Sequence, residues 1–194
     1  MIRTARDEDA AAIHAIYAPS ITEGVATFET ELPGVDVMRE RIRVRLQHYP
    51  WLVWEESGDV LAYAYAGRFR ERAAYDWIAE TSIYVHAGAY RRGIARRLYG
   101  VLLDAMKLQG ITQAVGVITL PGTVSVAMHE KMGFTPAGVW RQSGYKLGQW
   151  WDVGVWQKLL LPAVSPPCPV VPYPMMAGTS ALRRLLAEGP ASTN

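Results

Sequence analysis

Apolar side chains recur at the three- and four-residue spacing of a one-sided helix in the longest patterned stretches of this chain. After Gly93 they fall at Ala95, Leu98, Leu102 and Met106, which predicts a helix over 93–108. Met38, Ile42 and Leu46 mark the inner face of a helix over 37–48, with Arg39, Arg41, Arg43 and Arg45 as its solvated side. Asp7, Glu8 and Asp9 supply the acids of a helix start. That helix runs over 10–17, buries Ala11, Ile13 and Ile16, and ends near Pro19. A further helix over 124–132 stops at Gly133, a residue suited to a left-handed cap.

Shorter apolar runs between turn residues read as strands over 2–6, 51–55, 60–67, 80–86 and 114–119, and as a last pair over 134–145 and 151–161. Ser57-Gly58-Asp59 joins the second and third of them. The order is strand, helix, helix, three strands, helix, strand, helix, strand pair. It predicts an α/β (α+β) domain over 1–161, a mixed sheet flanked by helices. From Pro162 the pattern breaks. Pro162, Pro166, Pro167, Pro169, Pro172 and Pro174 exclude regular structure and leave an extended tail over 162–194 that is either partly disordered or packed on the domain or on a partner. Within it, 181–188 fits one late helix.

Composition changes this picture little. The chain has 194 residues, 50% of them hydrophobic, which suits a single core with an appendage. A net charge of +2 gives no argument for nucleic acid. No apolar stretch is long enough to span a bilayer, and the N-terminus carries no apolar signal region. Cys168 is the single cysteine, so the expected home is a reducing cytoplasm. His14, His48, His86 and His129 are scattered, and no metal site is expected. Seven Trp and ten Tyr suit a small-molecule pocket as well as a core.

Candidate chemistry concentrates where the strand over 80–86 meets the helix after Gly93. A loop of small and basic residues there exposes backbone N–H groups and the positive end of a helix, with Arg91, Arg92, Arg96 and Arg97 beside it. Such a junction suits a polyphosphate. No Lys follows Gly93 as a P-loop requires, and the three glycines of the dinucleotide fingerprint are missing.

Arg91-Arg92-Gly93-Ile94-Ala95 resembles the Gln/Arg-x-x-Gly-x-Gly/Ala turn of the GNAT N-acetyltransferases, with Tyr90 where Gln or Arg usually opens it. Further motifs narrow the resemblance. They are Tyr49-Pro50-Trp51-Leu52-Val53, Ala64-Tyr65-Ala66-Gly67, Ala74-Tyr75-Asp76-Trp77-Ile78-Ala79-Glu80, Val126-Ala127-Met128-His129-Glu130-Lys131-Met132-Gly133-Phe134 and Gly148-Gln149-Trp150-Trp151-Asp152-Val153-Gly154. Over about residues 1–172 the chain is similar to phosphinothricin acetyltransferases and their relatives acting on methionine sulfone and sulfoximine.

That resemblance implies the GNAT fold, acetyl-CoA as cosubstrate without metal, and N-acetylation of the α-amine of a small amino-acid-like acceptor. It assigns Glu80 as the base, acting directly or through water, and His129 as a second catalytic or orienting group. Ile83, Tyr84 and Val85 are assigned to the acetyl and pantetheine arm through their backbone. Arg91, Arg92, Gly93, Ile94, Ala95 and Arg96 are assigned to the pyrophosphate, largely through main chain. Gly122 stands where relatives carry Asn, so any contact there is through backbone. Arg72 is the candidate for the acceptor carboxylate, since guanidinium binds carboxylate bidentately, with Phe28 and Tyr75 as pocket walls. Ala127 replaces an Arg and Leu147 a His of the phosphinothricin-specific relatives, which leaves the exact acceptor open. The resemblance also implies a homodimer. Two other activities fit the same residues: a non-catalytic CoA-binding module that engages a partner through the tail, and a peptide N-terminal acetyltransferase, which needs an open groove.

Overall fold

The structure is a computed structural model and describes residues 1–190. Seven strands form one sheet: β1 (Ile2–Thr4), β2 (Trp51–Glu56), β3 (Asp59–Arg68), β4 (Ile78–Val85), β5 (Gln113–Thr119), β6 (Thr135–Lys146) and β7 (Gln149–Leu159). Their order across the sheet is β1-β2-β3-β4-β5-β7-β6, and the β4–β5 pair alone is parallel.

Helices α1 (Ala10–Thr22) and α2 (Val35–Leu46) cover one face. Their apolar stripe, with Ile13, Ile16, Ile21, Met38 and Ile42, packs on Trp51, Val53 and Tyr63. Two details of α1 differ from the sequence expectation. Ala10 is buried and Ala11 exposed, and the helix continues three residues past Pro19, to Thr22. Proline lacks the N–H that closes the preceding turn. The next turn is nevertheless made: the Pro19 carbonyl accepts from the Glu23 N–H at 3.0 Å, and Ile21 is carried into the core.

The other face carries α3 (Ile94–Gln109) and α4 (Thr123–Lys131). Leu98, Leu102 and Met106 of α3 are fully buried against Leu52, Ala64 and Ala114. Each such side chain contributes about 1.5–3 kcal/mol by leaving water, so this helix is the main pillar of the larger core. Gly110 ends it in the left-handed conformation, at φ 86°.

The described part of the tail is seated on the domain. Gln109 Nε2 donates to His48 O at 2.7 Å and to Val171 O at 2.9 Å, and Trp77 Nε1 donates to Cys168 O at 2.6 Å. A short turn α5 (Tyr173–Met176) and a helix α6 (Ser180–Glu188) follow, and they bury Tyr173, Met176 and Leu182 in the larger core. The tail is therefore extended only as far as Pro172. The end of the expected tail, 191–194, lies outside the described residues.

Candidate active site

The site begins where two strands part. β4 and β5 pair only at Ile78↔Gln113, Ala79↔Ala114 and Glu80↔Val115. Beyond that point β4 stays with β3 as far as Val85, while β5 stays with β7 as far as Thr119. The sheet thus splits into two diverging halves. Alternate backbone N–H and C=O groups of residues 81–85 face the gap without a strand partner, a fit for an amide-bearing chain laid between the strands. Thr81 marks the apex, its hydroxyl donating to Val115 O at 2.9 Å.

A cleft of about 450 Å³ fills the gap. Ser82, Ile83 and Tyr84 line one side, and Val117, Thr119 and Leu120 the other. Gly122, Ser125 and His129 close it from α4, and Val25 and Ala26 from the α1–α2 loop. That loop is tied down. The buried Lys146 Nζ donates to Ser20 O at 2.9 Å and to Thr27 O at 2.8 Å. Phe28 rests on Gly144 of β6, where a Cβ would stand 2.1 Å from its ring.

At the far end of the gap, Arg91 and Gly93 adopt left-handed conformations, φ 62° and 76°, directly before α3. Buried Ala89 and Ile94 anchor the turn on either side. A Cβ at Gly93 would meet nothing within 4 Å, so the backbone there is open to a ligand. The start of a sixteen-residue helix behind it suits the phosphates expected from sequence. The arginines divide. Arg92 pairs with Glu56 at 2.6 Å and holds that carboxyl below its ordinary range, and Arg97 lies over the Trp54 ring. Arg91 and Arg96 are exposed. Gly122, at φ 41°, has no room for a side chain: a Cβ would stand 2.5 Å from Thr119 O.

Glu80 and His129 lie on opposite faces of the sheet. Along β4, Thr81 points to α3, where it meets Tyr99, and Tyr84 points to α1, where its ring meets Tyr17 edge-on at 5.1 Å. Successive strand residues alternate, so Glu80 shares the α1–α2 side with Tyr84. Burial raises its pKa, and the nearby Arg45 guanidinium partly offsets this. Arg45 reaches across from α2, lies over the Tyr65 ring at 4.8 Å and brings its Nη1 against Gly67, the residue paired with Glu80. Any side chain at Gly67 would meet that guanidinium. A larger groove of about 1040 Å³ opens beside it, between α2, Trp77 and the tail prolines.

His129 sits in the other layer. Its Nδ1 lies 2.8 Å from Ser125 O, and its Nε2 3.0 Å from the Tyr99 hydroxyl, which in turn lies 2.6 Å from Thr81 Oγ1. Burial pushes the imidazole pKa down, against the Ser125 carbonyl, and pushes the Tyr99 phenol well above its ordinary value. Gly116 leaves room for the ring, since a Cβ there would come within 2.8 Å of Nε2.

The three expected acceptor residues are not gathered in the cleft. Arg72 is exposed at the start of the turn Ala73–Tyr75. Tyr75 is partly exposed against Phe69, and Phe28 belongs to the α1–α2 loop. The sequence does not single out Thr81 or Tyr99, and Arg45, expected on the solvated side of α2, instead turns in over Tyr65 and Gly67 toward Glu80. Tyr99 occupies an inward helical position that reads as packing. Gly116, inside an apolar strand, was a usable signal of close approach. Among the described residues no group of three or more His, Cys, Asp or Glu is placed to hold a metal ion.

A sheet that splits beside a helix start offers unpaired backbone groups to an amide-bearing chain and a helix terminus to its phosphates. The chain belongs to the GNAT acetyltransferase family, whose domain model matches residues 2–155. It is 41% identical to a phosphinothricin N-acetyltransferase of Streptomyces viridochromogenes over 88% of this chain and 93% of that protein. It is 32% identical to an L-methionine sulfoximine/L-methionine sulfone acetyltransferase of Salmonella typhimurium, covering 78% of this chain and 90% of that one. Among solved structures, a phosphinothricin acetyltransferase from Sinorhizobium meliloti in complex with acetyl-CoA superposes with a TM-score of 0.82 at 32% identity. That match covers 89% of this chain and 97% of that one.

Proposed function

We propose that this protein moves an acetyl group from acetyl-CoA to the α-amine of a small amino-acid-like acceptor of the phosphinothricin, methionine sulfoximine or methionine sulfone type. The observation that carries this reading is the β4–β5 gap with Glu80 at its closed end. Bound there, acetyl-CoA supplies an activated thioester. Residues 83–85 hold its arm through backbone groups, and the turn from Arg91 to Arg96 with Gly93 holds its phosphates. A free N–H of β4 steadies the oxyanion that develops as the amine attacks.

An α-amino group is mostly protonated at neutral pH, and only its neutral form attacks. Glu80, its pKa raised by burial, takes that proton on the α1–α2 side. Arg72 and Tyr75, at the β3–β4 connection, are the proposed contacts to the acceptor carboxylate and side chain, with Phe28 across the loop. Exposed Trp140, Tyr145, Leu147 and Trp150 on the β6–β7 hairpin and its turn support a homodimer through that hairpin. A monomer mass by light scattering removes that part.

The test is release of free thiol from acetyl-CoA against a panel of amines headed by the three named acceptors. Saturable release on one of them is expected. Binding of acetyl-CoA with no release across the panel would leave a non-catalytic CoA-binding module in its place. A preference for peptide N-termini would redirect the acceptor class.

A further inference from the structure

The layer behind the cleft contains a chain of hydrogen bonds that lacks one proton. Four contacts run in series: Val115 O to Thr81 Oγ1 at 2.9 Å, Thr81 Oγ1 to Tyr99 Oη at 2.6 Å, Tyr99 Oη to His129 Nε2 at 3.0 Å, and His129 Nδ1 to Ser125 O at 2.8 Å. Both ends are carbonyl oxygens, which only accept. Each contact therefore needs its own proton. Thr81 brings one, Tyr99 one and a neutral imidazole one, which makes three for four contacts. The Ser125 carbonyl fixes the neutral tautomer with hydrogen on Nδ1, so Nε2 is left as an acceptor. The Tyr99 hydrogen then has two claimants, Nε2 and Thr81 Oγ1. With an imidazolium the count is met, and every donor has an acceptor.

The chain also has an outlet. Tyr99 is 0% exposed and both His129 nitrogens are engaged, by Tyr99 Oη and Ser125 O, while Thr81 lines the cleft at the apex of the gap. We infer that Thr81 and Tyr99 form a proton wire that lends one proton site, His129, to the reacting atoms in the cleft. This rests on the acetyl-transfer reading for its purpose, although the wire itself is a property of the fold. As the C–N bond forms, a proton leaves the attacking nitrogen for Thr81 Oγ1. The Thr81 proton passes to Tyr99 Oη, and the Tyr99 proton passes to His129 Nε2. Thr81 then turns its new hydrogen to Val115 O, and all four contacts are filled. As the C–S bond breaks, the same steps in reverse return the proton to the sulfur. The wire ends as it began, and the net proton lost by the ammonium leaves through Glu80.

His129 acts through Tyr99 and Thr81 in this arrangement, and Tyr99 is a positioning residue. The groups packed on the imidazole are few. α3 presents Tyr99, β5 presents Gly116, α4 presents Ser125, whose carbonyl lies 2.8 Å and hydroxyl 3.4 Å from Nδ1, and Phe134 stacks edge-on at 5.0 Å. Of α4's own charges, Glu130 accepts from Trp156 Nε1 at 3.3 Å and Lys131 is exposed. Glu80 lies across the sheet. Tyr99 is thus the one titratable group among the described residues in direct contact with the ring.

Thr81→Val keeps shape and removes the outlet. Histidine-labelled protein, with the His129 signal assigned by loss in His129→Gln, reports tautomer and titration by NMR without any need for turnover. Wild type is expected to show the Nδ1–H tautomer at high pH. In Thr81→Val the imidazolium leaves Tyr99 without an acceptor, so the titration midpoint falls by about half a unit to one unit, the size of one neutral hydrogen bond. In single turnovers on the best amine, the same variant loses roughly a hundredfold in rate, with little change in KM for acetyl-CoA. Thr81→Ser regains most of that loss. An Nε2–H tautomer in wild type, an unmoved midpoint or an unchanged rate in Thr81→Val overturns the wire. A loss in Tyr99→Phe with none in Thr81→Val also overturns it, because Tyr99 is then packing. Wild-type protein inactive on every amine removes the acetyl-transfer reading instead, and the titration still decides the wire.

Discussion

The two faces of β4 handle charge in different ways. On the α1–α2 side, Glu80 has no hydrogen-bond partner among the described residues, and its charge is set by burial against one guanidinium, Arg45. On the α3–α4 side, Thr81, Tyr99 and His129 are locked by distances of 2.6 to 3.0 Å between two backbone carbonyls. The first arrangement leaves a base free to bind a new donor. The second fixes where a proton sits and admits one more through a single hydroxyl. Adjacent residues of one strand serve both, because alternation sends their side chains to opposite layers.

The sharpest way to break this comparison is Glu80→Gln. Size and hydrogen bonding are kept while basicity is lost, so turnover should fall roughly a hundred- to ten-thousandfold with acetyl-CoA affinity nearly unchanged. Steady-state kinetics with calorimetry checks both, and near wild-type turnover would make Glu80 structural. The acid limb of the rate profile should weaken in the same variant. Stability gives a separate reading. The folded pKa of Glu80 is raised, so its contribution is fully present below the unfolded value and lost as pH rises through the folded one. Glu80→Gln should therefore melt higher than wild type at neutral pH and converge with it in acid. A constant offset across pH would mean that burial does not act on this carboxyl.

The opposite face is tested by Gly116→Ala. The added methyl would stand 2.8 Å from His129 Cδ2 and Nε2, so the ring must move off Tyr99. Overpacking of this kind costs about 1–3 kcal/mol, read as a lower melting temperature. The His129 titration should change while the acid limb assigned to Glu80 stays in place. Movement of both would show that the sheet couples its faces.

How far the sequence foresaw this depends on which partner decides. The inward stripe of α3 and the succession of strands and helices along the chain follow from period alone, because each element is set within one segment. The parting of β4 from β5 is not, since pairing is a property of two strands and both read as ordinary apolar runs. Glu80 was found by its motif. Tyr99 was hidden because an inward aromatic on a helix looks like packing until the hydroxyl's partner, on a strand eighteen residues earlier, is in view. The prolines after Pro162 announced extended chain, but its seat was invisible. One buried glutamine, Gln109, bridges backbone on either side of it that lies over sixty residues away in sequence.

The smallest expected effect sharpens the Glu80 side. Arg45 is the cation that holds the Glu80 pKa down against burial, and it reaches there because Gly67 has no side chain. Arg45→Met keeps the apolar stem over Tyr65 and removes the charge. Burial then acts unopposed, and the acid limb of the rate profile should move to higher pH. The shift should be a fraction of a unit, since charges near a surface are screened. The maximum rate above that limb should change little, because the deprotonated carboxylate is unaltered. Salt offers a check without mutation: raising ionic strength should move the wild-type limb in the same direction and leave that of Arg45→Met nearly still. A wild-type limb indifferent to both would mean that Arg45 neutralises something other than Glu80.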